Sequence, residues 1–479
     1  MATIAQHPAP TESPGGTRAM SDVPATAMVA VIVLVALVSF AVAPRVRSAD
    51  GFFRGWTQGG GTPGVFTLTL SQVTTWIFAR SLMNAGILGY FFGIGGAIAY
   101  TAYYGSFLTG WLIIDRLRFH HGAGNVQSFL ADRFGRLGTA SYNVLVSLRL
   151  LSEVFANLLV VGIVFGVAGS GAYTAAILAV TAITLTYSMI GGLHASLRTD
   201  VVQMLMLLVL LLGLVALMGV HPEFSAFDLA LSTPEITSPG WILLLVALLQ
   251  VWSYPLHDPV MMDRGFIAGR NTTRRSFLHA FWISALCILG FGLLGVFAGI
   301  HRQGEEELLA TLARLLGTPA MAVLGAALII SAASTMDSTL SSAAKLAVID
   351  MRLGRPTARN GRIAMLLFAL GGLVLVLFGT DDLFAAVAVS ATASLFLTPV
   401  IAFCIIGGRE VRPWAYAFTF ALATGGAVLY FLENSGYIGW VGSLTGIEHS
   451  YSKLLVITTI VLAGGFASFA LGLGERIRR

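Results

Sequence analysis

Apolar stretches long enough to cross a bilayer recur along almost the whole chain, separated by short polar segments that carry most of the charge. Thirteen spans can be delimited, at about 26–43, 64–84, 86–114, 138–168, 172–191, 194–219, 239–260, 274–301, 318–350, 361–379, 382–407, 413–432 and 451–472. In lipid a lone segment must satisfy its own backbone polar groups, so the pattern predicts an all-α integral membrane protein with about thirteen transmembrane helices. The longest gaps, 114–138, 219–239 and 432–451, are loop-sized, and no soluble domain interrupts the series.

One span breaks the apolar rule in a regular way. Between 318 and 350, Ser331, Ser334, Thr335, Ser338 and Ser342 step by three and four, so a helix places all five on one stripe. Asp337 lies roughly 120° from that stripe. Hydroxyls gathered on one face point to something polar inside a bundle: a neighbouring helix, water or an ion. This row is the strongest sign that the chain moves a solute.

Three charges also fall inside spans: Arg80, Arg149 and Glu153. Each costs at least ~2.5 kcal/mol at a helix centre, so residues of this kind usually face the bundle interior. Arg149, Glu153 and Asn157 share one face by their spacing of four. Two readings stand: Arg80 binds an anionic group on a solute, or Arg80 or Arg149 pairs with Glu153 and fixes helix packing. The span at 239–260 runs into Gln250-Val251-Trp252-Ser253-Tyr254-Pro255-Leu256-His257-Asp258-Pro259. Neither proline can donate to a helix ladder, so the helix is expected to break there. Gln250, Ser253 and Tyr254 are then candidates for solute contact, or else ordinary interfacial residues. His257 and Asp258 suggest a proton relay, an inner gate near Arg264, or a structural pair.

Composition agrees: of the 479 residues, 56% are hydrophobic and only 11% charged, against roughly 25% charged in soluble domains. Most of the 28 basic residues fall in alternate loops and at the C-terminus, which by the positive-inside rule puts the N-terminus outside and the C-terminus in the cytoplasm. The positive balance therefore reads as membrane topology and not as nucleic-acid binding. Cys287 and Cys404 lie within spans and match no metal, redox or disulfide spacing. Residues 1–25, rich in Pro, Ser, Thr and Ala, read as a disordered extracytoplasmic tail. Ala41-Val42-Ala43 resembles a signal-peptidase site, but Arg45 and Arg47 follow at once, so the first helix is expected to be retained. The nine histidines form no HExxH, no GxSxG elbow is present, and the intramembrane acids are not paired for catalysis, so an enzyme is not expected. No obligate protein partner is evident.

The sixth span opens with Gly191-Gly192-Leu193-His194-Ala195-Ser196-Leu197-Arg198-Thr199-Asp200-Val201-Val202-Gln203. This resembles the "GG…A…TD…Q" signature of the sodium:solute symporter family. Thr75-Trp76, followed by Gly89-Tyr90 and Gly93 through Gly96, is similar to the family's first core helix and its exit. Asn125 through Leu130 with Arg133-Phe134-Gly135 is similar to its short cytoplasmic segment, and the hydroxyl helix through Asp350 to its eighth core helix. The resemblance spans about residues 64–410.

That likeness implies a leucine-transporter-like fold: two five-helix repeats of inverted topology, at 64–219 and 239–407, each with a broken first helix, around a midplane site. Residues 26–43 would be a peripheral first helix, and 413–479 two further helices with a short cytoplasmic tail. It implies a coupling sodium ion held by the carbonyls of Thr74, Ile77 and Ser331 and the side chains of Ser334 and Thr335. Asp200, with Ser338, would line an ion exit path or a second sodium site; otherwise Asp200 pairs with Arg198 or another cytoplasmic arginine. Gln72, Trp76, Arg80, Glu153, Gln250, Ser253 and Tyr254 would surround a small polar solute. The implied function is sodium-coupled import by alternating access in the bacterial inner membrane, sodium ordering the broken helix and raising solute affinity. A proton-coupled or uncoupled carrier and a transporter-like sensor are the alternatives. An amino acid, a urea-like molecule or a carboxylate-bearing solute fits the charged interior better than a sugar does.

Overall fold

The computed structural model describes residues 23–57, 59–379 and 390–476. The expected tail, Arg18 and the start of the 382–407 span lie outside the described residues.

The chain is helical almost throughout. Helix α1 (Ala25–Val42) lies against the two long hydroxyl- and glycine-bearing helices described below. Helix α2 (Val65–Trp76) stops because Ile77 leaves helical geometry at φ −91°, ψ 65° and Phe78 is extended, after which α3 (Ala79–Ala102) begins. Helices α4 (Ser106–Ile114), α5 (Val126–Phe165) and α6 (Gly171–Gly219) follow. Next, α7 (Pro239–Gln250) ends ahead of a short Tyr254–His257 turn, and α8 (Pro259–Gly265) starts after extended Asp258. The prolines at 255 and 259 each sit in a first turn, where a missing N–H costs nothing. Helices α9 (Arg270–Ile300), α10 (Leu308–Lys345) and α11 (Ala358–Phe378) complete the core together with a helical stretch, 390–406. Helices α12 (Pro413–Asn434) and α13 (Ser450–Leu471) pair with each other. Both expected breaks, in α2/α3 and in α7/α8, are therefore present, and α9 packs against α3 as α10 packs against α6.

Nine helical runs among the described residues are individually long and apolar enough to cross a bilayer, fewer than the thirteen spans expected. Runs that continue through the turns at Gly93 and Gly192 join expected spans, the helix Pro239–Gln250 is cut short by its break, and the 382–407 span begins outside the described residues. At about 1.5 Å per residue, the 49 residues of α6 reach about 73 Å, more than twice a hydrocarbon core of roughly 30 Å. Gly192, at φ 56° and ψ −142°, folds α6 between the two spans expected there. The first core helix is longer than expected. Its reversal lies not at 84–86 but at Gly93, φ 58°, within a glycine-rich run whose exact turning point the pattern does not reveal. A further departure is a small antiparallel sheet, Arg409–Val411 with Leu473–Arg476, which ties the end of α13 to the segment entering α12.

Gly192 is a strict requirement. A Cβ there would sit 2.4 Å from the Phe52 carbonyl oxygen and 2.7 Å from its ring. The left-handed backbone alone costs an L-residue about 1–2 kcal/mol. Gly192→Ala is expected to lower the thermal midpoint of the detergent-solubilised protein by several degrees; an unchanged midpoint would contradict the close approach.

Candidate ion and solute site

The break after α2 exposes carbonyls that a continuous helix would use internally. Three residues on the hydroxyl face of α10 meet them. Ser331 Oγ donates to the Ile77 carbonyl, Thr335 Oγ1 donates to the Thr74 carbonyl at 3.4 Å, and Thr74 Oγ1 lies 3.0 Å from Ser334 Oγ. All these side chains are buried. The five residues assigned from the resemblance are brought together, with one difference: Ser331 approaches Ile77 through its hydroxyl and not its carbonyl. The second half of the break is held from another side. The Ala79 N–H donates to Asn157 Oδ1 at 3.2 Å, and Asn157 Nδ2 donates to the Glu153 carbonyl at 2.8 Å.

A second polar cluster adjoins the first through Ser334. Its hydroxyl donates to Asp200 Oδ1 at 3.0 Å, and Ser71 Oγ donates to Oδ2 at 2.6 Å. Ser338 lies 3.2 Å from Oδ2 and 2.8 Å from Ser196 Oγ. Asp200 is fully buried, and its cationic partner is Arg264, not Arg198, which is exposed. Arg264 counts by sequence among the loop arginines. The short α8 instead turns its guanidinium into the bundle, where it is also fully buried. Asp337, the carboxylate off the hydroxyl stripe, accepts from Thr199 Oγ1 at 2.7 Å. Thr199 and Asp200 thus each hold a different carboxylate of one network. Ser71 and Ser196 are members that sequence reasoning missed; the sequence places Asp337 only off the stripe, and Arg264 is among the cytoplasmic-side arginines it allows as a partner of Asp200. Only the spacing of Ser196 four residues before Asp200 offered a hint.

A third cluster settles the pairing of the intramembrane charges. Arg149 Nη2 lies 2.5 Å from Glu153 Oε1 and 3.4 Å from Asp258 Oδ2, and Thr339 Oγ1 donates to Glu153 Oε2 at 3.1 Å. Asp258 also accepts from the Met261 N–H at 2.9 Å, capping α8. The network joins α5, α10 and the broken α7/α8 helix. Asp258 does not bond to His257, whose two buried ring nitrogens have no partner among the described residues, so the proton relay is not assembled. Glu153 is engaged by Arg149 and Thr339.

Beside the break stands an aromatic group. Trp76 contacts Tyr104, Phe107 and Tyr254 at ring centroid distances of 5.7, 5.0 and 5.4 Å. Tyr104 donates its hydroxyl to the Trp76 carbonyl at 2.8 Å, and Tyr103 donates to Gln250 Oε1 at 2.9 Å. Ser253 Oγ lies 3.2 Å from Ser394 Oγ, reaching the last core segment. Three buried polar groups here have no protein partner among the described residues: Gln72 Oε1, Gln72 Nε2 and Trp76 Nε1. Arg80 has no ion pair among them either. The groups that act on it electrostatically are Tyr100, Tyr254 and Arg149, with no carboxylate in the set. Buried polar groups seldom stay unmatched, so these are the atoms best placed to take a ligand.

Residues 56–239 match the profile of the sodium:solute symporter family. A structure of a Na+-coupled sialic acid symporter, substrate-bound and outward-open, superposes with a TM-score of 0.70 over 94% of this chain and 98% of its own, at 13% identity. A nucleobase-cation-symport-1 family transporter, closed around a bound hydantoin, superposes with a TM-score of 0.59 over 89% and 95%, also at 13% identity. At that identity the likeness concerns the fold, which is the five-plus-five inverted-repeat architecture of leucine-transporter-like carriers.

Removing Arg149 would strand two buried carboxylates. Arg149→Met is expected to cost about 3–5 kcal/mol, read as a large drop in thermal midpoint. Glu153→Gln costs less, because Asp258 still holds the guanidinium; equal losses would contradict the shared pairing.

The match over residues 56–239, the fold along the chain and the apolar helices converge: this is an integral membrane protein of leucine-transporter-like fold that is similar, over 56–239, to the sodium:solute symporter family.

Proposed function

We propose that the coupling sodium binds between Thr74, Ile77, Ser331, Ser334 and Thr335, and that the solute binds beside it against Gln72, Trp76, Arg80 and Tyr254. The observation that carries this reading is the meeting of the interrupted backbone at Thr74–Ile77 with the hydroxyl face of α10. Sodium must exchange water for other oxygens, and unwound carbonyls with hydroxyls supply them without a fixed charge. The hydroxyls that now donate to Ile77 and Thr74 would rotate their lone pairs to the ion. Sodium would thereby stiffen the break, and the residues on either side of it, Trp76 and Arg80, would be ordered for solute.

Arg80 sets the chemical class. With Arg149 neutralised by Glu153 and Asp258, Arg80 is the interior arginine left to recognise a carboxylate or a similar anionic group. Such a pair in a low-dielectric chamber is short and directional. Gln72, Trp76 and Tyr254 add donors, acceptors and ring faces suited to a small body. Gln250 and Ser253, engaged with Tyr103 and Ser394, shape the chamber from the second repeat. In this reading residues 64–219 and 239–407 are the two rocking repeats, and the arginine-rich loops support an N-terminus outside and a C-terminus in the cytoplasm. Release follows inward rocking, and the chain performs no chemistry on its cargo.

Two variants test the reading. Ser334→Ala with Thr335→Ala is expected to abolish sodium-dependent uptake in vesicles while the protein remains inserted; retained dependence, measured by replacing sodium with choline, would sink the ion site. Arg80→Ala is expected to raise the half-saturating concentration of a carboxylate solute at least tenfold with sodium affinity unchanged. An unaltered solute constant would rule out direct contact.

A further inference from the structure

The carbonyls at the two breaks are already taken by hydroxyls of the protein. At the first break, Thr335 Oγ1 donates to Thr74, Tyr104 Oη to Trp76 at 2.8 Å, and Ser331 Oγ to Ile77. At the second, Thr109 Oγ1 donates to Val251 at 2.6 Å and Tyr142 Oη to Leu256 at 2.8 Å. With sodium bound, Thr74 and Ile77 are given to the ion. Freed backbone oxygens are the neutral acceptors that an interrupted helix offers to a cationic group. Here they are spent.

The carboxylates are spent as well. Glu153 lies 2.5 Å from Arg149 Nη2 and accepts from Thr339, while Asp258 lies 3.4 Å from the same nitrogen and accepts from the Met261 N–H. Neither acts on Arg80, and the charge that does act on it is the like charge of Arg149.

What is left unmatched is rich in donors. The Arg80 guanidinium and the Trp76 indole only donate, and the Gln72 amide donates through Nε2 and accepts at Oε1 alone. His257, also unmatched at the second break, adds one acceptor and no negative charge. Such a chamber is satisfied by a solute rich in acceptors. A carboxylate meets Arg80, and a hydroxyl or carbonyl on the next carbon meets Gln72 or Trp76. An ammonium on that carbon would stand near two guanidinium groups without an anionic partner, and an unpaired buried charge is costly.

We propose that the solute is a carboxylate without an ammonium group, a hydroxy or oxo acid, and that amino acids are rejected because the chamber holds no free acceptor for their ammonium. The inference rests on the solute chamber of the preceding section and narrows its cargo to one chemical class.

The test uses matched pairs that differ only at that substituent: lactate against alanine, and phenyllactate against phenylalanine. Each is added, with sodium present, to the purified full-length protein. The hydroxy acid of at least one pair is expected to raise the thermal midpoint at a concentration about tenfold lower than its amino acid, or lower still. Gln72→Glu puts a free carboxylate into the chamber and is expected to narrow or reverse that preference. An amino acid as effective as its hydroxy acid, or no effect from any of these compounds, would overturn the proposal. So would an unchanged preference in a folded Gln72→Glu; should that variant not fold, the wild-type ranking decides. A hydroxy-acid response that persists unchanged in Arg80→Ala would instead defeat the placement of the solute at Arg80.

Discussion

Everything in this molecule turns on carbonyls left without a helical partner where α2 stops at Ile77. Thr74 and Ile77 lie at a break held open from three directions: by α10 hydroxyls at the carbonyls, by Asn157 at the Ala79 N–H, and by Tyr104 at the Trp76 carbonyl. An unsatisfied backbone group inside a membrane costs several kcal/mol, so a break survives only where partners are supplied. Those partners come from three elements outside the broken helix: the turn leading into α4, α5 and α10. The bundle is organised around the interruption.

From that constraint the other polar clusters follow in sequence. Ser334 carries the hydroxyl network from the break to Asp200, Asp200 carries it to Arg264, and Arg264 reaches α8 of the second repeat. On the other side Asn157 leads to Glu153, then to Arg149 and Asp258, again reaching the broken helix of the second repeat. Each repeat's interrupted helix is therefore wired to the other's through buried charge. A change in ion occupancy at one break has a physical route to the second, through discrete hydrogen bonds and not through a general softness of the bundle.

Much of this was legible in the sequence, for identifiable reasons. The stripe Ser331–Ser342 followed from helical period alone, and the Arg149–Glu153 contact followed from spacing of four. The prolines at 255 and 259 marked the second break. The first break was different: nothing in the residues 74–78 forbids a helix, and its location came only with the family resemblance. Gly93 was obscured by its glycine neighbours, since any of them permits the turn. Arg264 was misplaced because a loop arginine and an arginine folded inward by a seven-residue helix look alike in one dimension. Burial of a charge is a tertiary property, decided here by Asp200, sixty-four residues away. The same limitation applied to His257, whose adjacency to Asp258 suggested a relay that the backbone turns apart.

The central claim, that sodium bridges the Thr74–Ile77 break to α10, is tested most directly by amide hydrogen exchange over peptides covering residues 68–80 in sodium and in potassium. Ion ligation by the carbonyls of Thr74 and Ile77 should stiffen this segment, so the account predicts slower exchange in sodium at those peptides and at the facing residues 328–338, with little change in α12 and α13. Identical exchange in the two salts would contradict it.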